Sequence, residues 1–378
     1  MAEPSQVQGL ARLFSYNAFL LTATLFVGLV AFEALLGADD RPPMWSIGIL
    51  LLLAIALLVT AADFFIAGAQ SLAKRAGVAE VVIGLTVVSI GTSLPEILVT
   101  ASAARDIPSN PEVADLAVGS IFGSVLVQIT LILGVVAFIS PVKVGPAWLK
   151  RDGMLMFGAS ALLAVLLWTN GGLSSGEGLA LVLLYLMYIV WLVRHRREIQ
   201  EDAIALGLEA EPGDHVSLWT TGASILMVVL GLGFALFAAN HLVDLAVIVA
   251  DRLNAPEAVI GTTISGLGTS LPELTIALLS ARKSEGVAIG TLVGSNITDP
   301  TLSVGIAAIV HPLVLTGEGW LLTSRLIVPI TLVSLGVALL FMRTHYEFRR
   351  REGVVLASIY AVFLVLIALQ HQGYILAT

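Results

Sequence analysis

The chain has 378 residues, of which 57% are hydrophobic and 12% charged, with a formal net charge of −8 and no cysteine. Its mean hydropathy is +0.97. Soluble domains carry about 25% charged residues, so this composition excludes a surface facing water, and the lack of cysteine excludes disulfides, thiolate metal sites and a thiol nucleophile.

A helix crosses the hydrocarbon core with roughly 20 apolar residues. Apolar runs meeting that length predict eleven spans, at 15–37, 45–73, 79–104, 113–139, 149–169, 176–193, 217–250, 256–281, 286–311, 321–342 and 353–373. The first run has no strongly basic leader and is followed by Ala38-Asp39-Asp40-Arg41 rather than a small-residue cleavage site, so it is expected to be a retained helix. The longest polar stretch, 194–216, is too short for a folded module and reads as a linker. With alternate loops on opposite sides, fifteen of the nineteen Lys and Arg fall on the side of the N-terminus. Only Arg41, Arg105, Arg252 and Arg325 fall on the other. Basic loops stay cytoplasmic, which predicts a cytoplasmic N-terminus and an external C-terminus.

Residues 80–96, EVVIGLTVVSIGTSLPE, recur at 257–273 as EAVIGTTISGLGTSLPE, with eleven of seventeen positions identical. A second block follows each copy, VGSIFGSVLVQ at 118–128 and IGTLVGSNITD at 289–299. The two GTSLPE motifs lie in the third and eighth spans, five apart, so they run in opposite directions across the membrane. The predicted fold is an all-α polytopic membrane protein of two inverted-topology five-helix repeats, 45–193 and 217–378. They are joined by the cytoplasmic linker 194–216 and preceded by one extra N-terminal transmembrane helix within 1–44. Inverted repeats place a substrate site near the midplane where the halves meet.

Glu96 and Glu273 sit deep in apolar spans, where a carboxylate is expensive and its default reading is functional. Pro95 and Pro272 precede them and free the carbonyls of Gly91 and Gly268. Thr92, Ser93, Thr269 and Ser270 add hydroxyls about one turn away. The second blocks contribute Ser124 with Gln128 and Ser295 with Asp299, each pair spaced i, i+4 on one helix face. Three carboxylates, one amide and six hydroxyls are all oxygen donors. They suit a hard cation such as calcium, magnesium or sodium, not zinc or copper. A single GTSLPE would also fit a capping box at a helix start, but two copies at mid-span are not accounted for by capping. The Gly-x-x-x-Gly pairs read as helix packing. Asp63 and Asn240 are either ligands or the lining of a water path. His241 and Asp244 read as a structural pair, and Arg349–Arg351 as a cytoplasmic topology signal. With no His-Glu-x-x-His and no cysteine, no enzyme is expected, and neither a bound cofactor nor nucleic acid is implied.

At the doubled GTSLPE and the Gly-Ser-Asn-x-x-Asp of the second block, the sequence resembles the sodium/calcium exchanger family of cation/calcium antiporters. The resemblance covers spans two to eleven. It implies exchange of calcium for sodium by alternating access, with spans two and seven sliding across the core. Carried onto this chain, it implies that Glu96, Glu273, Asp299, Thr92, Ser93, Thr269, Ser270, Ser124 and Ser295 are ion ligands. Four positions depart from the family. Ser120 and Thr291 stand where it usually has asparagine, and Val125 and Gln128 replace both asparagines of the first second-block. Gln128 keeps an amide oxygen on a longer arm. Short loops and no appended regulatory domain fit a prokaryotic plasma membrane. A proton-coupled divalent antiporter and, more remotely, a cation channel stay open at this point.

Overall fold

The computed structural model describes residues 9–13, 16–36, 43–109, 113–205, 219–252, 270–315 and 321–371. Helix α1 is Asn17–Leu36 and α2 is Met44–Ala76. The third expected span is broken: α3, Glu80–Thr92, and α4, Leu94–Asp106, meet at an angle of 43°. The bend sits at Ser93, two residues before Pro95, whose ring removes an N–H and crowds the preceding turn. Helix α5, Val113–Val127, continues through a π-helical turn, Gln128–Ile132, into α6, Leu133–Ile139. Next come α7, Met154–Asn170, α8, Ser175–Arg194, and α9, Arg196–Ala205. The second half holds α10, Thr221–Arg252, and α11, Leu271–Lys283. Helix α12, Glu285–Thr298, passes through the π turn Asp299–Ser303 into α13, Val304–Val310. Helices α14, Val328–His345, and α15, Arg350–His371, complete it.

Among the described residues, eight helices are long and apolar enough to cross a membrane, and nine with the bent pair counted. Of the eighth expected span, 256–281, only the part from Ser270 onward lies within the described residues. Within the expected linker, α9 forms because Ile199 and Ala203, one turn apart, both bury against the main core.

The fold also departs from purely helical. Two antiparallel pairs of two-residue strands clasp the loops: β1, Val142–Lys143, pairs with β4, Glu347–Phe348, and β2, Gly172–Leu173, with β3, Leu313–Val314. The Gly172-Leu173-Ser174-Ser175-Gly176 spacing is that of a nucleophile elbow. Here Ser174 caps α8 instead, in a reciprocal capping box with Glu177.

Close backbone contacts hold the site helices in place. Helices α3 and α12 meet at glycines: a Cβ at Gly290 would lie 2.7 Å from the Val81 carbonyl oxygen and 2.9 Å from Gly84 Cα. Small residues let membrane helices approach this closely. The long helices α2 and α10 cross in the same way, Gly68 against Met227 and Gly231 against Phe65. The π turns fall at matching places in the two second blocks. Hydroxyls within them bond back one turn, Thr130 donating to the Leu126 carbonyl and Thr301 to the Ile297 carbonyl.

Candidate functional site

The bend in α3–α4 brings Glu96 into the first turn of α4, buried at 4% exposure. Ser93 and Ser270 occupy the positions that start α4 and α11, as a capping motif requires, but neither side chain makes a capping hydrogen bond. Their hydroxyls face inward and are buried. Ser124 on α5 is the hub. Its Oγ lies 3.3 Å from Glu96 Oε1, 3.3 Å from Asp299 Oδ2 and 3.4 Å from Ser270 Oγ. Gln128, at the start of its π turn, donates from Nε2 to Ser124 Oγ at 2.9 Å and to Asp299 Oδ2 at 3.0 Å. Five of the expected residues, from four helical segments, therefore share one hydrogen-bonded cluster.

Glu273 is fully buried, with Glu96 and Asp299 as its charged neighbours and the Thr92 hydroxyl facing it. Thr92 Oγ1 lies 3.3 Å from Ser295 Oγ, which ties α3 to α12. Ser93 and Ser303 face Asp299. Thr269 lies outside the described residues.

Several oxygens here are buried yet have no hydrogen bond of good geometry: both of Glu273, Oδ1 of Asp299, Oε1 of Gln128 and the hydroxyls of Ser93 and Ser303. Buried polar atoms are almost always partnered, so such a concentration needs a cause. Among the described residues, no three acidic side chains meet the spacing of a metal centre by themselves. The Ser124 hydroxyl lies between the Glu96 and Asp299 carboxylates, and the Gln128 amide meets Asp299 through its nitrogen.

The sequence did not point to Ser303, although it stands one turn after Asp299 on the same face. Its counterpart in the first block is Ile132, so comparing the repeats hides it. Nor did it point to a buried hydroxyl chain behind the site, in which Thr298 Oγ1 lies 3.1 Å from Ser89 Oγ and 3.2 Å from the Tyr185 hydroxyl. One other expectation needs correction. His241 pairs not with Asp244, which is exposed, but with Glu33 of α1 at 3.1 Å. Its imidazole also reaches the Phe237 carbonyl on its own helix at 3.1 Å. Asp63 is half-buried on α2 and Asn240 is exposed on α10.

The model of the family described as "Sodium/calcium exchanger protein" matches residues 45–194 and 223–369. This chain belongs to the sodium/calcium exchanger protein family. It is 31% identical to the sodium/calcium exchanger MaX1 of Methanosarcina acetivorans, over 84% of this chain and 97% of that protein. It is 33% identical to the inner membrane protein YrbG of Escherichia coli, over 84% and 95% of the two chains. The structure of the sodium-calcium exchanger NCX_Mj, soaked with sodium and strontium, superposes with a TM-score of 0.67 at 28% identity, covering 83% of this chain and 96% of that one. The chain is thus a multi-pass membrane transporter of the exchanger type. The family match begins at residue 45, after α1.

Proposed function

We propose that this exchanger-family chain is a secondary active antiporter that swaps calcium for sodium by alternating access at the buried oxygen cluster. The observation that carries this reading is the set of unpartnered buried oxygens on Glu273, Asp299, Gln128 and Ser93. An ionised group buried without a partner is costly, and a hard cation is the partner such oxygens accept. Glu96, Glu273, Asp299, Thr92, Ser93, Ser124, Ser270, Ser295 and Gln128 are the proposed ligands, with Thr269 as the tenth. The name of MaX1 and the sodium and calcium soaks of NCX_Mj support this ion pair.

The proposed frame is eleven spans: one extra helix, then two inverted halves at 45–193 and 217–378 with the linker 194–216 on the cytoplasmic side. The strand pairs support it. The charge count places Lys143 and Arg349 on one side of the membrane and loops 170–175 and 311–315 on the other, and each strand pair joins loops of one side. Glycine contacts repeat in the same sense, with Gly134 against Gly353 and Gly305 against Gly178. The N-terminus is proposed to be cytoplasmic and the C-terminus outside, in a prokaryotic inner membrane.

Charge balance couples the two fluxes. Three ionised carboxylates leave one negative charge over when calcium is bound, and several sodium ions cancel them fully. An empty cluster keeps mutually repelling carboxylates in a low-dielectric interior, where Coulomb repulsion is strong. Loaded forms therefore change access and empty forms do not, because a ligand biases a conformational equilibrium only through differential affinity. Calcium binding to the purified protein, titrated with sodium at constant pH, tests the shared cluster. Sodium is expected to displace calcium with a dependence steeper than one ion per site. Calcium that ignores sodium and leaves only on acidification would support proton coupling instead.

Gln128 is expected to set calcium affinity. Hydrogen bonds to charged groups contribute about 1.5–3 kcal/mol, and Gln128→Ala removes the amide donor from Asp299. Apparent calcium affinity should fall about tenfold or more, read from the concentration dependence of uptake. Unchanged affinity would remove Gln128 from the ligand set.

A further inference from the structure

Helix α1 lies outside the family match, and nothing in the ion cluster uses it. Its packing is nevertheless specific. One face, carrying Leu25, Phe26, Leu29, Phe32 and Leu36, packs into a hydrophobic cluster shared with the outer halves of α2 and α10. Phe26 sits between Phe234 and Phe237, with ring centroids 5.1 and 4.8 Å away. Phe32 reaches Trp45 on α2 at 6.3 Å. At its other end, Tyr16 lies 5.2 Å from Trp219, next to the start of α10, and Phe19 lies 5.5 Å from Phe64 on α2. The opposite face of α1, with Leu20, Leu21, Val27, Val30 and Leu35, is exposed and suited to lipid.

These contacts form two clusters separate from the main core, which contains residues of α2 and α10 but none of α1. Leu271, at the start of α11, is the one site-helix side chain at their margin among the described residues. A hydrogen bond points the same way. Glu33 Oε2 meets His241 Nε2 at 3.1 Å, and the His241 ring lies on Phe237 at 4.1 Å, beside the Phe26 contact. Rows of aromatic side chains at both ends and a hydrogen bond at one of them fix the register of α1 on two helices at once.

We propose that α1 is a strap that binds α2 and α10 into a single three-helix body. Any rearrangement that opens the ion cluster to one side of the membrane then carries all three helices together. The second statement rests on the alternating-access reading. The first does not.

The native chain has no cysteine, so introduced thiols report without background. Two measurements test the strap. In the first, hydrogen–deuterium exchange is compared between the native chain and a Phe26→Ala, Glu33→Gln variant, which needs no transport. Peptides from 44–61 and 235–245 should exchange at least several-fold faster, while those from 89–106 and 285–303 stay unchanged. Equal exchange throughout would overturn the strap, and so would acceleration spread evenly over all helices. In the second, Phe26→Cys with Phe237→Cys is joined by a short bifunctional thiol reagent, and calcium uptake is measured before and after linking. A strap that travels with α10 leaves uptake unchanged. Loss of uptake on linking would mean that α1 and α10 move past each other and would overturn the proposal. If the unlinked variant and the native chain both fail to exchange calcium, the exchange reading fails, and the hydrogen-exchange comparison still decides the strap.

Discussion

Glu273→Gln is expected to abolish calcium uptake while making the ion-free protein more resistant to heat. Both Glu273 oxygens are buried without a hydrogen bond of good geometry, beside Glu96 and Asp299. The amide has nearly the same shape but no charge, so it relieves the repulsion among three carboxylates in a medium of low dielectric. The same change removes a charged ligand. At about 1.4 kcal/mol per factor of ten, and about 3–5 kcal/mol for breaking a buried charge pair, uptake should fall at least ~100-fold. Radioactive calcium flux and thermal unfolding in ion-free buffer give the two readings. A variant that keeps its flux would remove Glu273 from the site. Lost flux with lowered thermal stability would make Glu273 a structural residue.

Gly290→Ala is expected to destabilise the protein although alanine is the better helix former. The added methyl would sit 2.7 Å from the Val81 carbonyl oxygen and 2.9 Å from Gly84 Cα, and backbone cannot swing aside as a flexible side chain does. Overpacking a tight core costs about 1–3 kcal/mol. Moving α12 off α3 would also pull Ser295 from Thr92 and Thr298 from Ser89, which are 3.3 and 3.1 Å apart. Activity should fall with stability. Gly158→Ala is the control: nothing lies within 4 Å of its added methyl, and it sits within α7. There the helix-propensity gain of up to about 1 kcal/mol is expected to appear unopposed. Thermal unfolding of the two variants side by side separates close approach from propensity. Equal behaviour would show that the α3–α12 contact is not tight.

The legibility of these features in the sequence follows from their range. Helices are local: ten of the eleven expected apolar runs coincide within a few residues with described helical segments, of which eight, or nine with the bent pair, are long and apolar enough to cross a membrane. Glu96, Ser124, Gln128, Ser270 and Asp299 were legible because two copies of a motif put chemistry at the same depth in two places. Contacts between distant segments leave no such mark. The partner of His241 is Glu33, 208 positions away, and Asp244 drew attention only because it is three residues off. Tyr185 reaches Thr298 from a helix with no motif of its own. Ser303 has no repeat counterpart to call attention to it. The loop strands escaped notice because two-residue pairings across 140 or more positions carry no periodicity. Helix α9 could have been found from Ile199 and Ala203 at i, i+4 spacing, but a short polar stretch between long apolar runs reads first as a connection.

Calcium uptake into proteoliposomes under an outward sodium gradient, with equal pH on both sides, tests the central claim most directly. Uptake that requires the sodium gradient and stops when it is dissipated is the predicted result. Uptake that ignores sodium and follows an imposed pH gradient would contradict it, and would assign the same oxygen cluster to proton-coupled exchange.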